Sequence, residues 1–181
     1  MTLTYSRFAT PLGDVRLARC EDSIVGLAFD DAWPRVERTL VRRYGTFRAA
    51  SASSPDVAAT LRRYFEGAAD ALAELSIDPG GTPFQRAVWA ALQRIPAGRT
   101  TFYGAIARAI GAPGAARAVG AACGANPIWL VIPCHRAIGN DGQLVGYAGG
   151  IARKRWLLAH EGALPCAEPA STRSAVAFAQ R

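Results

Sequence analysis

Lysine, histidine and methionine are scarce in this sequence of 181 residues, which has one lysine, two histidines and one methionine. No apolar stretch reaches the roughly 20 residues that a transmembrane helix needs. The first residues lack the cationic segment and apolar run of a signal peptide. The four cysteines include no C-x-x-C pair, which speaks against a metal or redox repeat. We therefore expect a cytoplasmic protein with reduced thiols and no membrane partner.

The composition also excludes a disordered chain. Half of the residues are hydrophobic and 19% are charged, which provides enough apolar material for a core at this length. All but one of the 21 basic residues are arginines. Because arginine binds phosphate and carboxylate groups through two parallel hydrogen bonds, this excess favours an acidic partner over a diffuse solubilising charge.

The positive charge lies in one half of the sequence. Residues 1–80 contain ten arginines and eleven acidic residues, whereas residues 81–165 contain nine basic residues and only two acidic ones. Residues 166–181 add two arginines and one glutamate, which completes the net charge of +7. A basic half is typical of a surface that meets a polyanion, although a solvated arginine-rich surface would have the same composition.

Turn residues divide the chain into an N-terminal support domain at 1–80, a second domain at 81–165 and a tail at 166–181. The boundary is the Asp-Pro-Gly-Gly stretch at 78–81. In the first domain, short apolar runs predict strands at 5–10, 14–20 and 24–29. Apolar stripes predict helices at 34–44 and 56–65. The tail has no periodic pattern, and we expect it to be loosely held.

The second domain begins with a helix signal, since Thr82 and Gln85 stand at the two positions of a capping box. Helices at 103–110 and 115–123 flank a Gly-Ala-Pro-Gly turn, a spacing typical of a helix-turn-helix. The second of these is rich in small residues, which suits either close approach to a partner or packing in the core. An apolar strand at 128–132 and a helix at 151–160 complete the domain.

Cys134 follows the predicted strand after a proline and precedes His135 and Arg136. A thiol attacks well only as a thiolate, and a nearby base or cation favours that form. The pattern indicates a nucleophile, and an inert core cysteine is the alternative. Adjacent residues of an extended strand point to opposite sides, so contact between Cys134 and His135 needs a bent backbone or a bridging water.

A series of short motifs runs through residues 82–162 around Cys134. They are, in chain order, Thr82-Pro83-Phe84-Gln85, Val88-Trp89, Arg117-Ala118-Val119-Gly120, Asn126-Pro127, Pro133-Cys134-His135-Arg136, Gly146-Tyr147-Ala148-Gly149-Gly150, Lys154, Leu157-Leu158 and Glu161-Gly162. This series closely resembles the O6-alkylguanine-DNA alkyltransferases. The resemblance implies an α/β (α+β) fold, in which a small N-terminal antiparallel sheet with helices joins a helical C-terminal domain that contains the helix-turn-helix and an active-site strand or turn.

The resemblance implies irreversible, single-turnover transfer of an alkyl group from O6-alkylguanine, and from O4-alkylthymine, to Cys134. The damaged base is first rotated out of the duplex. His135 acts as the base through a water molecule and is oriented by Glu161. Asn126 ties the turn after the second helix to the active-site segment. No cofactor and no metal are implied.

The resemblance also implies the contacts with DNA. Substrate is held by Tyr103, Trp129, Ala137, Tyr147 and Ala148. Tyr103 bonds the guanine ring, the Ala148 N–H faces the guanine oxygen, and the Cys134 and Ala137 carbonyls read the exocyclic amine. The helix-turn-helix enters the minor groove of double-stranded DNA, where Arg117 fills the gap left by the flipped base and Ala116 and Tyr103 contact the DNA. We expect a monomer, and cooperative binding along DNA stays open.

The sequence departs from the family pattern in several places. Phe102 stands where a serine is common before the tyrosine, and Ala137 replaces a common valine. Cys123 lies on the second helix, where it is either a packing residue or a second thiol open to alkylation or oxidation. The N-terminal half has one cysteine and no histidine, so we expect no zinc site there. Two other functions compete with repair: a lesion sensor that flips bases without repairing them, and a thiol hydrolase.

Overall fold

A four-stranded sheet forms the N-terminal half of the structure, a computed structural model that describes residues 2–164. The tail predicted at 166–181 lies outside the described residues. The strands run in the order β3-β2-β1-β4, and β1 pairs antiparallel with β2, as β2 does with β3. Their bounds are β1 Thr2–Phe8, β2 Val15–Cys20, β3 Ser23–Phe29 and β4 Arg48–Ser51.

The sheet is mixed rather than purely antiparallel, because β4 pairs parallel with β1. Sequence alone did not predict β4, since its four residues are all exposed and show no apolar alternation. The intervening helix α1, Trp33–Tyr44, provides the crossover that a parallel pair requires. The mixed α/β class is confirmed, and β4 is the addition to the expected antiparallel sheet.

Two helices cover the N-terminal sheet close to their predicted positions. Helix α1 buries Trp33, Val36 and Leu40. It packs closely on β3, since a Cβ atom at Gly26 would lie 2.9 Å from Val36 Cγ1. Helix α2, Pro55–Phe65, buries Val57, Leu61 and Tyr64 of its apolar stripe. The end of α2 brings Tyr64 into contact with Glu161 of the second half.

The C-terminal half is largely helical, as predicted. Helix α3 begins with the complete capping box, in which the Thr82 and Gln85 side chains each accept from the other residue's backbone N–H. Strands β5 and β6 form a short parallel pair. The element bounds are α3 Pro83–Gln93, β5 Thr101–Phe102, α4 Tyr103–Ala109, α5 Ala116–Gly124, β6 Ala137–Ile138 and α6 Ile151–His160.

The predicted strand at 128–132 is wrong. Ile128 makes one isolated bridge to Leu27, and the chain then turns, with Leu130 at a φ of 69°. The apolar run is continuous because the segment is enclosed on all sides, not because it lies in a sheet. Local hydrogen bonds, such as that from the Ile132 N–H to the Ile128 carbonyl at 3.0 Å, satisfy the backbone instead of a ladder.

One hydrophobic core runs through both halves. At the junction, the Leu27 N–H donates to the Pro127 carbonyl at 2.9 Å, and the Trp129 N–H donates to the Leu27 carbonyl at 2.7 Å. The sheet therefore supports the segment that precedes Cys134. Within residues 2–164, every helix is too short or too polar to cross a bilayer.

Candidate active site

A one-turn 3-10 helix, Cys134–Arg136, holds the candidate nucleophile. Asn126 connects this turn to the end of α5. Its Nδ2 atom donates to the Ile132 carbonyl at 2.9 Å and to the Cys134 sulfur at 3.3 Å, while its Oδ1 atom accepts from the Ile128 N–H at 2.9 Å. The side chain that we expected to tie these segments together thus also contacts the thiol.

Glu161, just after α6, joins the two residues that follow Cys134. Its Oε1 atom lies 2.9 Å from His135 Nε2. Arg136 donates to the same carboxylate twice, from Nε to Oε2 at 2.8 Å and from a terminal nitrogen to Oε1 at 2.9 Å. All three side chains are buried. Because the turn is helical and not extended, His135 and Arg136 both reach the same carboxylate.

The electrostatics of this cluster fix the protonation states. Burial alone would raise the pKa of the Glu161 carboxyl, but hydrogen bonds and charge from His135 and Arg136 outweigh it and lower the pKa to about 2. Burial lowers the pKa of His135 below its ordinary value, and the contact with Glu161 opposes this only in part. At neutral pH the site therefore holds a carboxylate and a neutral imidazole. The His135 Nδ1 atom is buried and bonds to no atom of residues 2–164.

The Cys134 thiol is protonated in the free protein. Burial raises its pKa, while the hydrogen bond from Asn126 and the charge of Lys154 oppose the increase. Lys154 is itself fully buried, and its ammonium group donates to the carbonyls of Ala137 and Val145. A base is therefore needed to make the thiolate, and a nearby cation stabilises it.

A cavity of about 390 Å³ opens beside Cys134. Tyr103, Tyr147 and Ala148 line it, as does the second thiol, Cys123. A larger cavity of about 710 Å³ lies in the N-terminal half and contains none of the predicted site residues. The smaller cavity is therefore the one relevant to the chemistry of Cys134.

The structure brings most of the predicted substrate residues to this cavity, but two lie elsewhere. The Trp129 ring is buried behind Tyr147, with the ring centroids 5.7 Å apart, and does not line the cavity. The carbonyl of Ala137 accepts from Lys154, and Ala137 does not line the cavity either. These two contacts with the base stay predictions, because Trp129 lies one ring behind the cavity wall and the Ala137 carbonyl has a second lone pair beyond the one that Lys154 occupies.

Of the three predicted DNA-contacting residues, Ala116 and Arg117 lie at the start of α5 and Tyr103 at the start of α4. Arg117 is exposed and Ala116 is half-buried. Among residues 2–164, no acidic side chain forms an ion pair with Arg117. The Tyr103 hydroxyl donates to the carbonyls of Val145 and Gly146 at 3.1 and 3.3 Å. In this structure it therefore binds the loop at 145–146, which lines the cavity.

Two residues at the site were not assigned a role from sequence. Lys154 belongs to the matching motifs and is the only lysine in an arginine-rich chain, which is a signal that could have singled it out. Tyr64 was predicted only as part of an apolar stripe. Its hydroxyl donates to Glu161 across 97 positions of sequence, and local patterns carry no information on such a contact.

Together, the fold and the site define a class: a mixed α/β protein in which a buried cysteine lies next to a histidine–carboxylate pair and two short helices are joined by a tight turn. The family model for the 6-O-methylguanine DNA methyltransferase DNA-binding domain matches residues 83–163. The model for the ribonuclease-like domain of the same family matches residues 3–79. The chain belongs to the 6-O-methylguanine DNA methyltransferase family.

Curated relatives and solved structures agree with this membership. A methylated-DNA–protein-cysteine methyltransferase of Salmonella typhimurium is 44% identical over 169 residues, which cover 91% of this chain and 98% of the relative. A methylated-DNA–protein-cysteine methyltransferase of Methanosarcina acetivorans is 40% identical over 160 residues, which cover 87% of this chain and 97% of the relative. The crystal structure of Mycobacterium tuberculosis OGT in complex with DNA has a TM-score of 0.73 at 38% identity and covers 88% of this chain and 92% of that one.

Proposed function

We propose that this protein repairs alkylated DNA by moving an alkyl group from O6 of guanine, and from O4 of thymine, to Cys134, once per molecule. Family membership makes it a methylated-DNA–protein-cysteine methyltransferase. The observation that carries the finer proposal is the arrangement of Cys134 on the wall of a base-sized cavity, next to a neutral His135 that Glu161 holds in place.

The site accounts for each proton in the transfer. The thiol proton of Cys134 passes through a water molecule to the Nδ1 atom of His135, the buried nitrogen that is free to accept it. The sulfur attacks the alkyl carbon, the S–C bond forms as the C–O6 bond breaks, and guanine leaves with the electron pair as an anion. Tyr103 donates a hydrogen bond to this anion, which takes a proton from water, and His135 returns the thiol proton to water, so that the charges balance. Glu161 stabilises the imidazolium that results. The new thioether is a poor alkyl donor, because its transfer would have to expel the Cys134 thiolate, so the protein is not regenerated.

The DNA contacts proposed from the resemblance fit the surface of α5. Its small residues would allow the backbone to approach a narrow minor groove, and the exposure of Arg117 supports its proposed role in filling the gap left by a flipped base. The Tyr103 hydroxyl would exchange its loop carbonyls for the guanine ring when the base enters. This exchange requires residues 145–146 to shift when DNA binds.

Stoichiometry tests the proposed reaction. A fixed amount of protein is titrated with a duplex that carries one O6-methylguanine, and the remaining lesion is measured by chromatography of the digested DNA. We expect loss of one lesion per protein molecule and then no further loss, and a weaker but similar result with O4-methylthymine. Tight binding without any loss of methyl would indicate the sensor, and continuing turnover of a small thioester or ester would indicate the hydrolase.

Arg117→Ala tests the proposed base flipping. We expect transfer from the duplex to slow about tenfold or more, because the flipped state loses the side chain that fills the gap. Transfer from the free base O6-benzylguanine should change less than about twofold, because that reaction needs no DNA. Arg108→Ala, which removes another exposed arginine from the adjacent helix α4, is the matched control. Equal losses with both substrates would contradict the role of Arg117.

A further inference from the structure

The N-terminal half reaches into the active site through one side chain. Tyr64, near the end of α2, donates from its hydroxyl to Glu161 Oε1 at 2.8 Å. This is the same oxygen that His135 Nε2 contacts at 2.9 Å and Arg136 contacts at 2.9 Å. Tyr64 is fully buried, so the hydrogen bond is made where water does not compete for it.

The position of Tyr64 is fixed from several sides. Its backbone carbonyl lies 2.8 Å from the Nε2 atom of His160, the residue that immediately precedes Glu161. Its ring packs edge-on against those of Phe65 and His160, with centroids 5.1 and 5.3 Å away. Burial and the nearby Glu161 carboxylate raise the pKa of the phenol, so the hydroxyl stays protonated and is a permanent donor at any working pH.

We propose that Tyr64 is a positioning residue of the active site, whose hydroxyl shares the Glu161 oxygen that holds His135 and thereby sets how readily His135 takes up a proton. The proposal deepens the proposed function and rests on it. The N-terminal half then contributes to the chemistry and does not serve only as a support for the second half.

The physical reason is competition for one oxygen. A carboxylate oxygen that already accepts hydrogen bonds from Tyr64 and Arg136 attracts a protonated imidazole ring less strongly. Without the phenol, Glu161 interacts more strongly with a protonated His135, which favours the imidazolium. The groups that face this pair are Arg136 from the same turn, Tyr64 from α2, Lys154 from α6 and the ring of Tyr147, whose centroid lies 6.4 Å from that of His135.

Tyr64→Phe removes only the hydroxyl and tests the proposal through a pH profile. The rate of methyl transfer from an O6-methylguanine duplex is measured between pH 5 and 9 for both proteins. We expect the acidic limb of the variant to move to higher pH by about half a unit or more. Above pH 8 the two rates should agree within about twofold, because His135 is then neutral in both. Tyr44→Phe is the matched control, since Tyr44 lies on α1 and outside the site.

Nuclear magnetic resonance provides a readout that does not depend on the reaction. The sequence has only two histidines, so the imidazole signals of His135 are assigned by comparison with His160→Gln. The pKa of His135 should be higher in Tyr64→Phe than in the unchanged protein. If Tyr64→Phe does not fold, 3-fluorotyrosine incorporated into the unchanged sequence is a stronger donor, and the pKa should then move down.

The outcomes separate this proposal from the proposed function. A uniform loss of rate at every pH, with the His135 titration unchanged, would mean that Tyr64 is only structural and would overturn the proposal. If the unchanged protein transfers no methyl group at any pH, the proposed function fails, whatever the histidine titration shows. If the unchanged protein transfers the methyl group, but Tyr64→Phe moves neither the acidic limb of the pH profile nor the pKa of His135, only the proposed role of Tyr64 fails.

Discussion

Glu161→Gln is expected to lower the free energy of unfolding by about 3 kcal/mol, because it leaves the buried guanidinium of Arg136 without a counter-charge. Methyl transfer should also slow by about 100-fold or more, because the base His135 loses the group that orients it and stabilises its protonated form. Urea unfolding at pH 7 and single-turnover kinetics on a lesion-bearing duplex measure the two effects.

Glu74→Gln is the matched control for this change. Glu74 also pairs twice with an arginine, Arg63, at 2.8 and 2.9 Å, but that pair is exposed. We expect its loss to change the free energy of unfolding far less than Glu161→Gln does, with no effect on transfer. Similar small losses in both variants would contradict the view that the buried carboxylate organises the site.

The pH dependence of the free energy of unfolding tests whether Glu161 is ionised in the folded protein. The pKa of Glu161 is about 2 in the folded protein against an ordinary value of 4.5. Its stabilising effect is therefore complete above pH 4.5 and is lost as the pH falls towards 2. The difference in stability between the unchanged protein and Glu161→Gln should shrink over that range. A difference that stays constant from pH 7 to pH 3 would contradict the assigned ionisation.

Cys134→Ser is expected to abolish transfer, with a loss of more than about 1000-fold. The hydroxyl is nearly the size of the thiol but does not ionise near neutral pH, so no comparable nucleophile forms. Cys123→Ser is the matched control, because Cys123 lines the same cavity. Burial and the nearby Cys134 raise the pKa of Cys123 to about 12, so its thiol stays protonated and the variant should still remove one lesion per molecule. Loss of transfer in the Cys123 variant, or its retention in Cys134→Ser, would contradict the assignment.

The helices could be predicted from sequence because their signals are local. The capping residues Thr82 and Gln85 and the apolar stripe of α2 act within a few positions of the chain. The helix at 151–160 has its predicted bounds. A motif of adjacent residues and a resemblance over some 80 positions also predicted a site at Cys134, His135 and Glu161, and the structure brings His135 and Glu161 into contact.

The parts that could not be predicted depend on contacts between distant residues. The segment at 128–132 is as apolar as a buried strand, and only its enclosure by both halves shows that it turns instead. The parallel pairing of β4 follows from the path of α1. Tyr64 is one of the positions of an apolar helical stripe. That stripe does not indicate that its hydroxyl donates to Glu161, which lies in the other half of the chain.

The site also has a feature that composition concealed. The net charge of +7 predicted arginines on a surface that meets a polyanion. Arg117 is exposed, in agreement with that prediction. Yet two cations of the basic half, Arg136 and Lys154, are buried near Cys134 and bind a carboxylate and two carbonyls. Part of the positive charge is therefore used inside the protein and is not exposed on its surface.

The mass of the protein after reaction tests the central claim most directly. The protein is incubated with excess duplex carrying O6-methylguanine, and its intact mass and peptide masses are then measured. We expect a single species heavier by one methyl group, with the methyl group on the peptide that contains Cys134 and none on the peptide that contains Cys123. An unchanged mass while lesions disappear, or a methyl group on any other residue, would contradict it.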